Sequence, residues 1–320
     1  MKIAKIEIAD SGTLSVVSMD GELWYSASEI ISDPLLIDVV EILGFEKKYP
    51  GRLSEEILAK SDSLKPIEFS LNKCVIPFQP LSYRDFMLSE KHYIDAARGF
   101  AKKYLPHLMP IINIYEKITG KTFPKLKPSK RWYSYPIYYL GNHLTFVSHG
   151  DLIEIPSYTK ELDYELELGA ILCDHLKNAS PEDAEKAIGG FVVFNDFSAR
   201  DVQMDEMSCG FGPMKTKNFA NSISSIVISA DEILPVIDQM KVNVNINGKR
   251  IIENDTSGMH YSLAEAIAYA SWEEQLYPGE FFATGTIPGC TGIENGCFLS
   301  SGDSIQLEIK GVGVLENKVA

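Results

Sequence analysis

The chain has 320 residues, 45% of them hydrophobic and 23% charged, which excludes disorder and allows one large domain or a large and a small one. Its net charge of -14 argues against nucleic acid and anionic membrane as partners, since both are held by basic patches. The five cysteines, Cys74, Cys173, Cys209, Cys290 and Cys297, contain no C-x-x-C pair, so neither a disulfide framework nor a thiolate zinc site is indicated.

The opening Met-Lys-Ile-Ala-Lys-Ile alternates charged and apolar residues as a strand does and does not read as a signal peptide. No apolar run approaches membrane-spanning length, and a soluble cytoplasmic protein is expected. Ile3, Ile6 and Ile8, then Leu14, Val16 and Val17, predict two strands around the turn Asp10-Ser11-Gly12. Asp20-Gly21 opens another turn. Ser32-Asp33-Pro34 is expected to start an amphipathic helix carrying Leu35, Leu36, Val39, Val40, Ile42 and Leu43, stopped by Gly44. Residues 1–75 read as a small β-rich N-terminal domain for packing or dimer contact, and 76–320 as a second, larger domain.

Ile76 to Leu81 is an extended linker, because each proline biases its predecessor away from helix. Ala96, Ala97, Phe100, Ala101 and Tyr104 then predict a helix broken by Pro106 and Pro110, with a second helical segment over Leu108 to Ile118. Lys121 to Arg131 is basic against the acidic background, and reads as a solvated loop or, alternatively, a cover over an anionic substrate.

The centre of the chain is Leu162 to Gln203. Residues two apart in a strand share a face, so Glu165 and Glu167 in L-D-Y-E-L-E-L-G-A-I-L aim two carboxylates at one point. Burying both is expensive unless a cation lies between them, and a hard divalent ion meets that need with oxygen ligands alone. Asp196, ending the strand of G-G-F-V-V-F-N-D, supplies a third carboxylate. On its own, E-x-E is also the pattern of an edge strand with one face in water. Beyond Asp196, Phe197, Arg200 and Gln203 share a face if the turn is helical, and Arg200 serves either substrate or a neighbouring charge. Lys241 to Gly248 is an alternating strand ending in an Asn-Gly turn, and Ser262 to Tyr269 a helix. Periodicity alone gives an α+β fold with strands near 3–8, 164–172, 191–196, 242–247 and 304–310.

E-L-E-L at 165–168 and N-D-F-S-A-R-D-V-Q at 195–203 resemble, almost letter for letter, the fumarylacetoacetate hydrolase family. P-G-E-F-F-A-T-G-T-I-P-G at 278–289 and the segment Ser301 to Asn317 extend the resemblance, which begins near Tyr83 and fails between His92 and Tyr139. It implies a mostly β fold: mixed sheets in a roll or barrel, with a small N-terminal domain. It also implies Mg²⁺, or Mn²⁺ or Ca²⁺, on Asp85, Glu165, Glu167 and Asp196, with His92 activating water. Lys217, in Lys-Asn-Phe, would meet developing negative charge, and Tyr139, Gln203 and Thr286 would line the substrate site, with Arg200 assigned beside them. The carboxylate that orients His92 is expected from Asp95, one helical turn on, with Glu90 as the alternative. Two tyrosines of the hydrolase pocket stand here as Met87 and Met207; the family's Gly-Thr is Ala220-Asn221; and its substrate arginine has no counterpart beyond Arg98.

The implied activity is metal-dependent hydrolysis of a carbon–carbon bond in a β-diketo acid or acylpyruvate, by a homodimer. A 2-oxo acid decarboxylase, tautomerase, hydratase or isomerase would use the same residues. A non-catalytic metal-stabilised scaffold is the reading from another class.

Overall fold

The computed structural model describes residues 1–8, 12–31 and 36–320. Asp10-Ser11 of the expected first turn, and the expected helix start at Ser32-Asp33-Pro34 with Leu35, lie outside them. The expected helix is present as Val39–Lys48, where the Asp38 side chain accepts from the Val40 N–H at 2.9 Å. It runs through Gly44 rather than stopping there, because burial of Val39, Ile42 and Leu43 outweighs the local preference of one glycine.

Among the described residues the central sheet has eleven strands. Its main path runs Tyr25–Ser26, Gly12–Ser18, Lys2–Ile8, Ile226–Ser229, Ile188–Asp196, Leu166–Leu172, Phe281–Ala283, Tyr83–Phe86 and Tyr138–Leu140. The first strand pair extends this sheet by pairing Lys2 with Ile228, so residues 1–75 share a sheet with the rest of the chain. A five-stranded sheet, from Lys249–Asp255 to Leu152–Ile153, packs on one face. The fold is mostly β with mixed sheets and covering helices, rolled but not closed into a barrel.

Strand Leu166–Leu172 is central and buried along its whole length. Leu166, Leu168, Ala170 and Leu172 pack with Val242, Val244, Ile305 and Leu307 of the smaller sheet. Ile171 faces the other way, into a core of Phe194, Phe281, Tyr83 and the N-terminal Ile3, Val17, Val39 and Ile42. Period-two alternation puts Glu165 and Glu167 on this second face, beyond the end of the aromatic cluster. The edge-strand alternative is thereby overturned: both faces of the strand are covered, and both glutamates are buried. Register completes the geometry. Ala283 pairs with both Gly169 and Asp85, Asp85 pairs with Tyr139, and Phe194 pairs with Glu167. Asp196 closes its strand two residues beyond Phe194, at the same end of the sheet.

Candidate active site

Asp85, Glu167 and Asp196 each present a carboxylate oxygen, and these oxygens lie within 4.8 Å of one another. All three side chains are buried. Tyr83 donates to Asp85 at 2.6 Å, and Tyr139 donates to Asp196 at 2.7 Å, with Asp85 as its alternative acceptor at 3.2 Å. The Gly285 N–H donates to Glu167 at 3.0 Å and the Thr286 hydroxyl at 3.3 Å. Gly285 is needed there: its φ is +79°, and a Cβ would stand 2.2 Å from the Phe86 carbonyl oxygen. Burial, and then repulsion from the neighbouring acids, holds Asp85 and Glu167 well above the ordinary carboxylate range. Asp196 is also raised by burial, against the pull of Lys217. An all-oxygen cluster that ionises so reluctantly is a donor set for a hard cation, and the residues present fit one.

Glu165 stands outside this cluster. One oxygen takes Arg200 at 2.5 Å and the other takes Lys217 at 2.5 Å. Burial works to raise its pKa, and Lys217 and Arg200 together overcome that and depress it. Lys217 also donates to Asp196 and is held above the ordinary lysine value; burial opposes this, and the two acids prevail. Its segment is fixed from behind by Glu206, which accepts from the backbone N–H groups of Met214, Lys215 and Thr216.

Arg200, one of the expected substrate ligands, is engaged elsewhere. It is 2% exposed and donates to Asp163 at 2.7 Å, Thr291 at 2.9 Å and Gln203 at 2.9 Å as well as to Glu165. Its guanidinium therefore balances buried acids, and Gln203, which it orients, reaches the cavity in its place. Arg98 likewise makes a paired contact with Glu116 at 2.9 Å, joining helix Glu90–Tyr104 to helix Met109–Thr119.

The expected His92–Asp95 pairing is not formed. The Asp95 carboxylate takes Lys91 on the helix surface. The buried His92 ring instead meets Glu294 through Nδ1 at 3.1 Å. Glu294 rides on the short helix Gly292–Asn295, whose first N–H groups, Gly292 at 2.6 Å and Ile293 at 2.9 Å, donate to the buried Asp163. Gly99 lets the two helices touch, since a Cβ there would meet the Ile293 carbonyl oxygen at 2.0 Å. Neither Glu294 nor Asp163 was legible as functional: Glu294 follows a glycine-rich turn without periodicity, and its contact depends on a tertiary approach.

A cavity of about 260 Å³ opens beside the cluster. Asp85, Glu165, Glu167, Asp196, Lys217, Tyr139, Gln203 and Thr286 all line it, and His92 does not. His92 contributes, after Lys217 and Arg200, to favouring the charged form of Glu165. Met87 and Met207 form part of the wall. Among the described residues, no helix is long and apolar enough to cross a membrane.

Residues 119–320 match the family described as fumarylacetoacetate (FAA) hydrolase, C-terminal. A mitochondrial oxaloacetate tautomerase of Bos taurus is 32% identical over 171 residues, which cover 53% of this chain and 54% of that protein. The match therefore spans about half of that relative's length. The fumarylacetoacetate hydrolase of Exiguobacterium antarcticum superposes with a TM-score of 0.71 at 21% identity, covering 100% of this chain and 99% of that one. The 5-carboxymethyl-2-hydroxymuconate delta-isomerase of Mycobacterium smegmatis superposes with a TM-score of 0.65 at 16% identity, covering 100% and 98%. These two likenesses show the shared fold.

Proposed function

The chain belongs to the fumarylacetoacetate hydrolase family, and from that membership and the site's geometry we propose that it hydrolyses a carbon–carbon bond in a β-diketo acid of the acylpyruvate type, with a divalent ion. The observation that carries the reading is the buried His92–Glu294 dyad, which acts electrostatically on Glu165 of the cavity wall. Asp85, Glu167 and Asp196 would hold the ion, Mg²⁺ first and Mn²⁺ or Ca²⁺ as substitutes; Glu165 would join them only by giving up Lys217 or Arg200. Bound there, a divalent ion supplies Lewis-acid polarisation of a substrate carbonyl.

The protein's own groups divide the remaining work. The Glu294 carboxylate accepts from Nδ1 of His92, so the Nδ1–H tautomer is favoured and Nε2 carries the lone pair. No protein group occupies Nε2 among the described hydrogen bonds, and since His92 does not itself line the cavity, the water it activates would stand between Nε2 and the cavity. The resulting hydroxide adds to the distal keto carbon. The bond from that carbon to the methylene breaks, its electron pair stays on the pyruvyl fragment, and the imidazolium returns the proton. Two acids result. Lys217, already charged, faces the oxygen on which negative charge develops. Thr286, Gln203 and Tyr139 position substrate oxygens from the cavity wall. The reading takes a homodimer in the cytoplasm as the working form, which light scattering after gel filtration tests.

A second reading is tautomerisation, decarboxylation or isomerisation of a 2-oxo acid in the same cavity. It draws on the likeness to the oxaloacetate tautomerase and on His92 lying outside the cavity lining. The deciding experiment assays metal-free protein, with and without Mg²⁺, on an acylpyruvate, fumarylpyruvate and oxaloacetate. Metal-dependent loss of the diketone with two acid products is expected. Turnover of oxaloacetate alone would move the assignment to the second reading, and no turnover on retained metal would leave a metal-stabilised scaffold.

A further inference from the structure

We propose that the substrate of this site carries an uncharged, apolar tail opposite its 2-oxo-carboxylate end, so that monocarboxylic substrates are taken in preference to dicarboxylic ones. The inference rests on the reading of the cavity as a 2-oxo acid site and adds the chemistry of the other end.

Beside the acidic cluster and Lys217 the cavity lining is largely apolar, with Phe86, Met87, Ile137, Met207 and Pro213, and its remaining polar side chains, among them Tyr93, Tyr138, Gln203 and Thr286, are uncharged. Among the described residues that line it, Lys217 is the one cation, and its ammonium is already shared between Glu165 and Asp196. A second carboxylate would leave water for a lining that offers it no further counter-charge, which is heavily disfavoured. An alkyl or aryl tail meets the opposite situation, because each buried methylene adds favourable transfer free energy. Methionine side chains, unbranched and polarisable, adapt to tails of differing shape.

The mouth is apolar too. Met207 is 51% exposed and Phe211 is 91% exposed, the latter between Gly210 and Gly212, whose φ values are +78° and +84°. Gly212 and Pro213 beside it line the cavity. A large apolar ring left in water at the rim of a ligand cavity is a contact surface for a tail that reaches the opening.

Calorimetric titration of the full chain in Mg²⁺ with stable 2-oxo acids tests this without relying on turnover. Pyruvate, 2-oxobutanoate, 2-oxopentanoate and 2-oxohexanoate should bind about two- to fourfold tighter with each methylene. 2-Oxopentanoate should bind at least about tenfold tighter than 2-oxoglutarate, its dicarboxylic counterpart of equal carbon number. Met207→Arg, at a half-exposed position the fold tolerates, should weaken 2-oxopentanoate and strengthen 2-oxoglutarate by about tenfold. Equal or tighter binding of 2-oxoglutarate by the unsubstituted protein, or no dependence on chain length, would overturn the inference while leaving the 2-oxo acid site intact. An unchanged preference in Met207→Arg would contradict the placement of the tail. Binding of none of these acids would contradict the reading of the site itself.

Discussion

Glu165 and Glu167 stand two residues apart on one face of one extended segment, are both buried, and meet opposite surroundings. Glu165 lies among Arg200, Lys217 and, through them, Asp163 and Thr291, and its carboxylate is stabilised as an anion. Glu167 lies among Asp85 and Asp196 with neutral donors from Gly285 and Thr286, and its charged form is disfavoured. Burial by itself therefore does not mark a cation site. A set of buried acids left largely uncompensated does: Asp85, Glu167 and Asp196 meet one cation, Lys217 at Asp196, whereas Glu165 alone meets both Lys217 and Arg200.

The largest effect expected from this contrast is on activity. Asp85→Asn removes one member of the uncompensated set and should reduce turnover to background, with metal binding lost in parallel by calorimetry. His92→Ala should leave metal affinity unchanged and lower hydrolysis by about 10²–10⁴-fold, and Glu294→Gln by about 10–100-fold. If His92→Ala left diketone cleavage intact, the dyad would have no part in it. On the compensated side, Arg200→Met strands Asp163 and Glu165 and should lower stability by about 3–5 kcal/mol in urea melts. A variant of unchanged stability would show that these acids do not depend on that guanidinium.

The smallest expected effect is a pH dependence. A carboxyl raised above its unfolded value favours folding at low pH, and that contribution is lost as pH rises through the raised value. Asp85 and Glu167 are such groups without metal, and metal must displace their protons. The rise in Tm on adding Mg²⁺ should therefore grow from mildly acid to neutral pH. A shift that shrinks with pH would contradict the sign.

The acidic cluster was legible in part because strand chemistry is local. Period two put Glu165 and Glu167 on one face and a strand end carried Asp196, but Asp85 came from the family resemblance, and spacing could not tell that Glu165 would pair with Arg200 and Lys217 instead. What Arg200 would do did not follow, since its reach from helix Arg200–Ser208 to Asp163 and Glu165 is set by packing between elements. Asp95 was expected beside His92 by helical spacing, but Lys91 lies one turn back on the exposed side and draws it there. Glu294 comes from a four-residue helix brought in over Gly99, a tertiary contact that no window of sequence contains. The N-terminal strands were readable as strands, yet their partner, Ile226–Ser229, lies more than two hundred residues away.

The most direct test is a Mn²⁺ titration of metal-free protein, Glu165→Gln and Glu167→Gln, paired with urea melts of each without metal. One ion per chain should bind the unsubstituted protein, and Glu167→Gln should lose it while matching or exceeding the metal-free stability, because glutamine mimics the protonated acid. Glu165→Gln should keep measurably tighter metal binding than Glu167→Gln and fall in stability, since Arg200 and Lys217 lose a charged partner. Full metal binding by Glu167→Gln would contradict the account.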